Sequence, residues 1–327
     1  MTKVLIYRTD RIGDLIYTCP LIITIKKSLN NPKITLIGSE KNFNYAKNLG
    51  IFHEILTIPK NVFKKINFFY SMWRKSFDYV FVLDGKERSI LSASLVKSKK
   101  KIAITYKWFF YYKFFNIKFI EDTQEKELKV TFQELLNSFV VNYKISNYDF
   151  LKVKKDTNFS LNIPVKRYIQ IHLDEKWINN LYIESYTDIN PNYLNFTNFL
   201  DEISKKNNVL ISTGLESFDL INKLKEVYFT KKNEHLFFKK NSLNSIYLVN
   251  KPSFENLESL LRKANILISC HGAITHAANS FDIKKIDIFE KKRKDFYKKY
   301  TSYMNNYYPI YRKNFNDLKN EIFKNII

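Results

Sequence analysis

Two stretches of the chain set small, basic and hydroxyl-bearing residues at places where an apolar strand gives way to a helix. The first is Ile266-Leu267-Ile268-Ser269-Cys270-His271-Gly272-Ala273-Ile274-Thr275-His276. Its apolar start reads as a buried parallel strand, and the small residues after it can open a helix packed tightly against that strand. The first N–H groups of a helix lack internal partners and carry the positive end of its dipole, so an anion, typically a phosphate, is favoured there. Gly272 and Ala273 would let the backbone approach a diphosphate closely, while Thr275 and His276 stand where side chains could donate to its oxygens. A glycine at a strand-to-helix turn is also common in any α/β protein, and a histidine near a helix start can be a cap or a packed side chain. These residues alone leave the anion site and the plain structural turn about equally open.

The second stretch is the polar turn Arg8-Thr9-Asp10-Arg11-Ile12-Gly13-Asp14, which leaves the apolar strand at residues 4–7. Asp14 can cap the following helix or face a cleft as a general base. Arg8 can neutralise a phosphate or pair with Asp10 or Asp14. Arg8, Arg11 and Gly13 are thus a candidate acceptor or phosphate site beside Asp14.

The elements that must position these residues alternate along the chain. After the first strand, Leu15, Ile16, Cys19, Ile22, Ile25 and Leu29 recur at helical spacing, with Pro20 near the start of the run. Strands are expected at 33–38, 53–58, 79–84 and 101–105, and helices at 40–49, 61–75, 88–96 and 124–141. The aromatic and basic run around Trp108, Phe109, Phe110, Tyr111, Tyr112, Phe114 and Phe115 suits either a core or an exposed surface for a lipid headgroup or sugar. Rhythm is lost over 147–165, which reads as a crossing between domains. A second series follows, with strands at 168–173, 208–213, 245–249 and 285–289 and helices at 193–206, 217–227 and 253–263. An amphipathic helix at 315–327 closes the chain and could pack back on the first half. Strand-then-helix repetition with short connections means doubly wound parallel sheets, in domains expected at 1–155 and 156–327. In such sheets ligands bind beyond the carboxyl ends of the strands, where both polar turns fall.

Composition narrows the partners. Lys+Arg 54 against Asp+Glu 32 gives a net charge of +22, which favours anionic partners: nucleotides, phosphosugars, anionic lipid or nucleic acid. The runs at 97–101 and 291–294 read as solvated faces or loops. No sustained basic helix or RNA-type aromatic motif supports nucleic acid. There is neither a GxGxxG after the first strand nor a GxxxxGK[ST], which disfavours a dinucleotide cofactor and a P-loop. Cys19 and Cys270 are the only cysteines and have no CxxC spacing, so neither a disulfide scaffold nor a structural zinc is expected. With no signal-peptide core and no long uncharged apolar run, the expected location is cytoplasmic, with peripheral contact on the inner face of an anionic membrane as a further option.

The opening Val4-Leu5-Ile6-Tyr7-Arg8-Thr9-Asp10-Arg11-Ile12-Gly13-Asp14 and the stretch 257–289 together resemble the heptosyltransferase-like glycosyltransferases of family 9. The resemblance spans nearly the whole chain. It implies a GT-B architecture, two Rossmann-like domains facing a cleft, with acceptor bound in the N-terminal half and nucleotide sugar in the C-terminal half. It further implies a metal-independent inverting transferase without a cofactor, in which the nucleotide-diphosphate sugar is a substrate and the acceptor is a glycan or glycolipid of the lipopolysaccharide type. Asp14 then becomes the base for the acceptor hydroxyl, and Gly272, Ala273, Thr275 and His276 the diphosphate cradle. Lys176 falls where the family has a basic residue near the donor phosphates, and Thr213, Gly214 and Glu216 where the nucleoside is expected. The family commonly reads Asp-Thr-Gly-Pro-Met-His, with His three residues after Gly. Here His276 is four after Gly272, which inserts a residue and removes the acidic position, so heptose is one candidate sugar among several. His271 can replace a lost contact or cap the turn. The reading from another class is a catalytically silent protein that keeps the scaffold to bind a nucleotide or glycan.

Overall fold

The computed structural model describes residues 1–106, 111–140, 144–145, 151, 163, 165, 167–241 and 243–326. The chain forms two compact units, Met1–Phe150 with Asp295–Tyr303, and Leu151–Lys294 with Met304–Ile327. The expected crossing at 147–165 lies almost wholly outside the described residues, as do Trp108, Phe109 and Phe110.

In the first unit six strands, β1 (Lys3–Tyr7), β2 (Lys33–Gly38), β3 (Glu54–Thr57), β4 (Ser76–Val82), β5 (Lys97–Thr105) and β6 (Ile117–Glu121), lie in the order β3-β2-β1-β4-β5-β6, all parallel. Val4, Leu5, Ile6 and Tyr7 are buried because β1 is central and covered on both faces. Helices α1 (Ile12–Ser28), α2 (Phe43–Leu49), α3 (Val62–Arg74), α4 (Glu87–Ser94), α5 (Tyr111–Phe114) and α6 (Leu128–Asn137) make the crossovers. Pro20 stays inside α1 without ending it. The lysine run at 97–101 is the start of β5 and not a loop, and β6 lies in the stretch whose aromatic content hid any strand period.

The second sheet has eight strands, β7 (Tyr168–Leu173), β8 (Val209–Thr213), β9 (Thr230–Lys231), β10 (Leu236–Asn241), β11 (Asn244–Val249), β12 (Ala264–Cys270), β13 (Lys284–Phe289) and β14 (Tyr307–Tyr311), in the order β14-β13-β12-β7-β8-β11-β10-β9. It is parallel except at one edge, where β10 runs antiparallel to β11 and to β9. The chain reverses there within a tight connection and no crossover helix intervenes, so helical spacing could not reveal it. Helices α7 (Tyr193–Ser204), α8 (Asp219–Lys223), α9 (Phe254–Leu261) and α10 (Ala273–Ala278) belong to this unit, and α11 (Lys294–Thr301) gives most of its residues to the first.

The terminal helix α12 (Phe315–Ile326) corrects an expectation. It does not return to the first unit: Phe315 lies 5.6 Å from Phe196 and 5.5 Å from Phe199, ring to ring, and Leu318 and Ile322 join the same buried core. Its apolar face, Phe315, Leu318 and Ile322 at spacings of three and four, matches the apolar side of α7. The segment that does return is Asp295–Tyr303. Phe315→Ala should therefore lower stability by about 3–5 kcal/mol, the usual cost of emptying a buried aromatic site; a melting temperature unchanged from wild type would show that α12 is not part of this core.

Candidate functional site

The parallel strands of each sheet switch order once, between β1 and β4 in the first and between β7 and β12 in the second, whose antiparallel edge then turns back at β11. Ligands of open α/β sheets bind beyond the strand ends at such a switch point. The turns leaving β7 and β12 are the ones that meet in the second unit. Lys176, in the turn after β7, brings its Nζ to 3.3 Å from the carbonyl of His271, in the turn after β12. The same Nζ is 2.7 Å from Asp174 Oδ2. Burial opposes the charge of this ammonium, but Asp174 outweighs burial and raises its pKa above the ordinary lysine value. A Cβ added to Gly272 would stand 2.5 Å from that Nζ. The backbone at Gly272 is extended, so glycine is needed here for space and not for conformation.

Behind the turn lies a buried acceptor that the motif reading did not single out. Asp287, on β13 beside β12, is fully buried and takes three hydrogen bonds, from His271 Nδ1 (2.7 Å), the Thr275 hydroxyl (3.0 Å) and the Tyr307 hydroxyl (2.7 Å). A carboxylate only accepts, so the proton on His271 is assigned to Nδ1. One signal could have pointed to Asp287: it is the single carboxylate in a strand that otherwise holds Lys284, Lys285 and apolar residues. Asp174 gives a similar signal just after β7. Arg312, equally unforeseen, is buried and donates to the carbonyls of Thr187 and Lys176, which pins the Lys176 turn from below.

The side chains of Thr275 and His276 do not face outward as expected. The extra residue between Gly272 and His276 falls inside α10 and leaves the turn itself short. Thr275 is fully buried and committed to Asp287, and the buried His276 ring sits edge-on to His271 at 5.2 Å. Burial drives the pKa of His276 well below 6.5, with His271 adding to the effect, so it is neutral. The outward surface of the turn is His271, Gly272 and Ala273, each partly exposed. Thr213 is also turned inward, accepting from the Lys251 N–H at 2.7 Å, while Glu216 is exposed in the loop after β8. Gly214 packs so tightly that a Cβ would come within 2.7 Å of Asp174 Cβ. Cys270 is buried, and its thiol is pushed up to about 12 by that burial, which makes it inert.

In the first unit the turn after β1 is built around Arg8. Its buried guanidinium donates to the carbonyls of Leu83 and Asp14 and to the Tyr17 hydroxyl, and lies 3.3 Å from Asp10 and 3.7 Å from Asp14. Of the two roles open to Arg8, the structural ion pair is the one seen. Asp14 Oδ2 accepts the Arg11 N–H at 3.0 Å, yet its side chain remains 35% exposed, enough to receive a proton from outside. Arg11 itself is exposed and Gly13 half-buried. Asp14 lines a cavity of about 180 Å³ together with Asp84, Tyr106, Asp122 and Tyr300, the last contributed by the returning segment. Gly85 borders it with φ of +62°, a left-handed conformation that glycine alone adopts without strain. Thr9 reaches across the switch point to Asp84 Oδ2 at 2.6 Å, and Lys299 closes on Asp122 at 2.8 Å.

Among the described residues no group of His, Cys, Asp or Glu is placed to hold a metal ion, and no helix is long and apolar enough to cross a membrane. The sequence matches no protein-family model and no curated protein. Its fold, in contrast, has many counterparts. Escherichia coli heptosyltransferase WaaC with ADP superposes with a TM-score of 0.68 at 14% identity, covering 99% of this chain and 100% of that one. E. coli ADP-heptose lps heptosyltransferase II gives 0.67 at 10% identity over 100% and 97%, and a family 9 glycosyl transferase from Veillonella parvula gives 0.64 at 15% over 99% and 89%. The fold is that of the heptosyltransferase-like GT-B glycosyltransferases.

The two glycines should separate when tested. Gly272→Ala should leave the melting temperature nearly unchanged, because the end of a lysine can move aside. Gly214→Ala meets the Asp174 main chain and should instead lower the melting temperature; calorimetry on both variants checks this. His172 is buried with its pKa lowered to about 4 by that burial, against the partial opposition of Asp174. Between pH 6.5 and 4 the unfolded chain binds a proton that the native chain refuses. Stability should thus fall by roughly 3 kcal/mol as pH drops through that window, and His172→Gln should flatten the decline measured by denaturant titration.

Proposed function

We propose that this protein is a glycosyltransferase that moves a sugar from a nucleotide-diphosphate donor to a hydroxyl of a cell-envelope glycan or glycolipid, in the cytoplasm. The observation that carries the reading is the Lys176 ammonium held against Gly272 at the switch point of the second sheet, beside the outward surface of His271 and Ala273. A doubly negative diphosphate suits that place: the cation is already ordered by Asp174, so little is lost in positioning it. Glu216 is the exposed residue left for the nucleoside.

In the proposed reaction the acceptor oxygen attacks the anomeric carbon from the face opposite the diphosphate. The carbon–oxygen bond to the leaving phosphate breaks, its electron pair goes to the diphosphate, and the acceptor proton goes to the Asp14 carboxylate. Single displacement of this kind inverts the anomeric centre. Lys176 meets the charge that develops on the leaving group, so the scheme needs no metal. Heptose and ADP are the first sugar and nucleotide to try, because structures of E. coli heptosyltransferase WaaC hold ADP and ADP-2-deoxy-2-fluoro heptose.

The binding-only reading draws on one observation: Asp14 already caps α1 through the Arg11 N–H, and a cap needs no chemistry. Turnover separates the two. Asp14→Asn keeps an acceptor for that N–H but cannot take a proton. It should reduce transfer by 10²–10⁴-fold, the usual worth of a general base, with donor affinity within about twofold of wild type. Transfer should survive excess EDTA. Full turnover by Asp14→Asn removes the assigned base, and donor binding without transfer to any lipid-linked glycan favours the silent protein.

A further inference from the structure

Helix α3 carries two apolar faces and buries one. Met72 is its one buried residue, and Phe68, one turn before it, packs with it against the core of the first unit. On the opposite side Phe63, Ile66, Tyr70 and Trp73 recur at spacings of three, four and three, which is a single stripe on a helix. That stripe is in water: Phe63 is 78% exposed, Ile66 59%, Tyr70 58% and Trp73 49%. Such a contiguous apolar surface on one helix marks an interaction site.

The stripe continues past its last turn into a groove of about 530 Å³, bordered by Trp73, Leu95, Val96, Phe114 and the lysines that open β5. Phe114 and Leu95 are themselves exposed. Cations are set directly on the rings. Lys97 Nζ stands 4.6 Å from the centre of the Trp73 ring, and the Arg74 guanidinium 5.9 Å from that of Tyr70. Lys99 pairs with Asp78 at 2.7 Å, and Lys101 is turned to the Ser94 carbonyl. Exposed Phe and Ile at the crest, Tyr and Trp beside cations at the margin, is the composition that enters the boundary between lipid headgroups and acyl chains.

We propose that the outer face of α3, with the groove beside Lys97 and Phe114, docks the protein onto an anionic lipid bilayer. Charge complementarity selects this occupant. A second copy would bring the same cations, from a chain of net charge +22, against Lys97 and Arg74, whereas anionic headgroups neutralise them. The inference stands on the surface of the first unit and is independent of the reaction proposed above.

Co-sedimentation of the full chain with phosphatidylcholine vesicles, with and without phosphatidylglycerol, tests it. Binding is expected only with phosphatidylglycerol, weakening as salt rises, with tryptophan emission shifting to the blue as Trp73 enters the interface. Trp177 is already buried, so in a Trp108→Phe background Trp73→Phe should remove most of the shift and little of the binding. The triple variant Phe63→Ser, Ile66→Ser, Trp73→Ser should lose binding at least tenfold, and Lys97→Ser or Arg74→Ser about fivefold each, with far-UV circular dichroism unchanged. The proposal is overturned by equal binding to both vesicles, by no binding to either, or by a triple variant that binds as wild type. A dimer in analytical ultracentrifugation that the triple variant dissociates would assign the face to a second copy and likewise overturn it.

Discussion

Most of what the second unit can do depends on one buried ion pair. The Lys176 ammonium is held 2.7 Å from Asp174 with little access to water, and it faces a glycine where any other residue would push it away. Taking the two charges out of water is costly unless they are closely paired and the remaining donors are used. Asp174 meets that condition on one side and the His271 carbonyl on another. A lysine carries three donors, so capacity remains for an outside anion without moving the cation. The Lys176 carbonyl receives Arg312, and Gly214 presses on Asp174, so both members of the pair are fixed through their main chains as well.

A second polar cluster governs the neighbouring turn. Asp287 reaches His271 from β13, Tyr307 reaches Asp287 from β14, and Thr275 reaches it from the start of α10. Three adjacent elements therefore share one carboxylate, and a carboxylate saturated by three donors orients each of them. The imidazole of His271 is thereby held through Nδ1.

The outline of the fold was legible because parallel strands covered on both faces leave unbroken apolar runs, as at Val4 to Tyr7 and Ile266 to Ile268. The turns that follow them were legible for the same reason: polar residues stand out against such runs. What escaped were features that depend on pairing across the sheet. Asp287 reads as one odd residue in its strand until β12 lies beside it, and β10, whose Lys239, Lys240 and Asn241 follow its apolar start, shows no strand period beside the expected strand at 245–249. Asp84 and Asp122 meet around one cavity only because β4 and β6 flank β5 and their carboxyl ends lie together. The inward turn of Thr275 and His276 escaped for a different reason. One residue more or less in a helix changes which side a group faces, and spacing counted from a glycine does not reveal where the helix begins.

The return of Asp295–Tyr303 to the first unit makes the chain topologically indivisible. Lys299 is the buried counter-ion of Asp122, and Tyr300 lines the cavity beside Asp14, although both are encoded far downstream of the rest of that unit. A gene fragment ending near residue 150 would leave the Asp122 carboxylate with Thr131 but without its counter-ion, and the cavity open on one side. Neither unit is therefore encoded by one uninterrupted stretch of the chain.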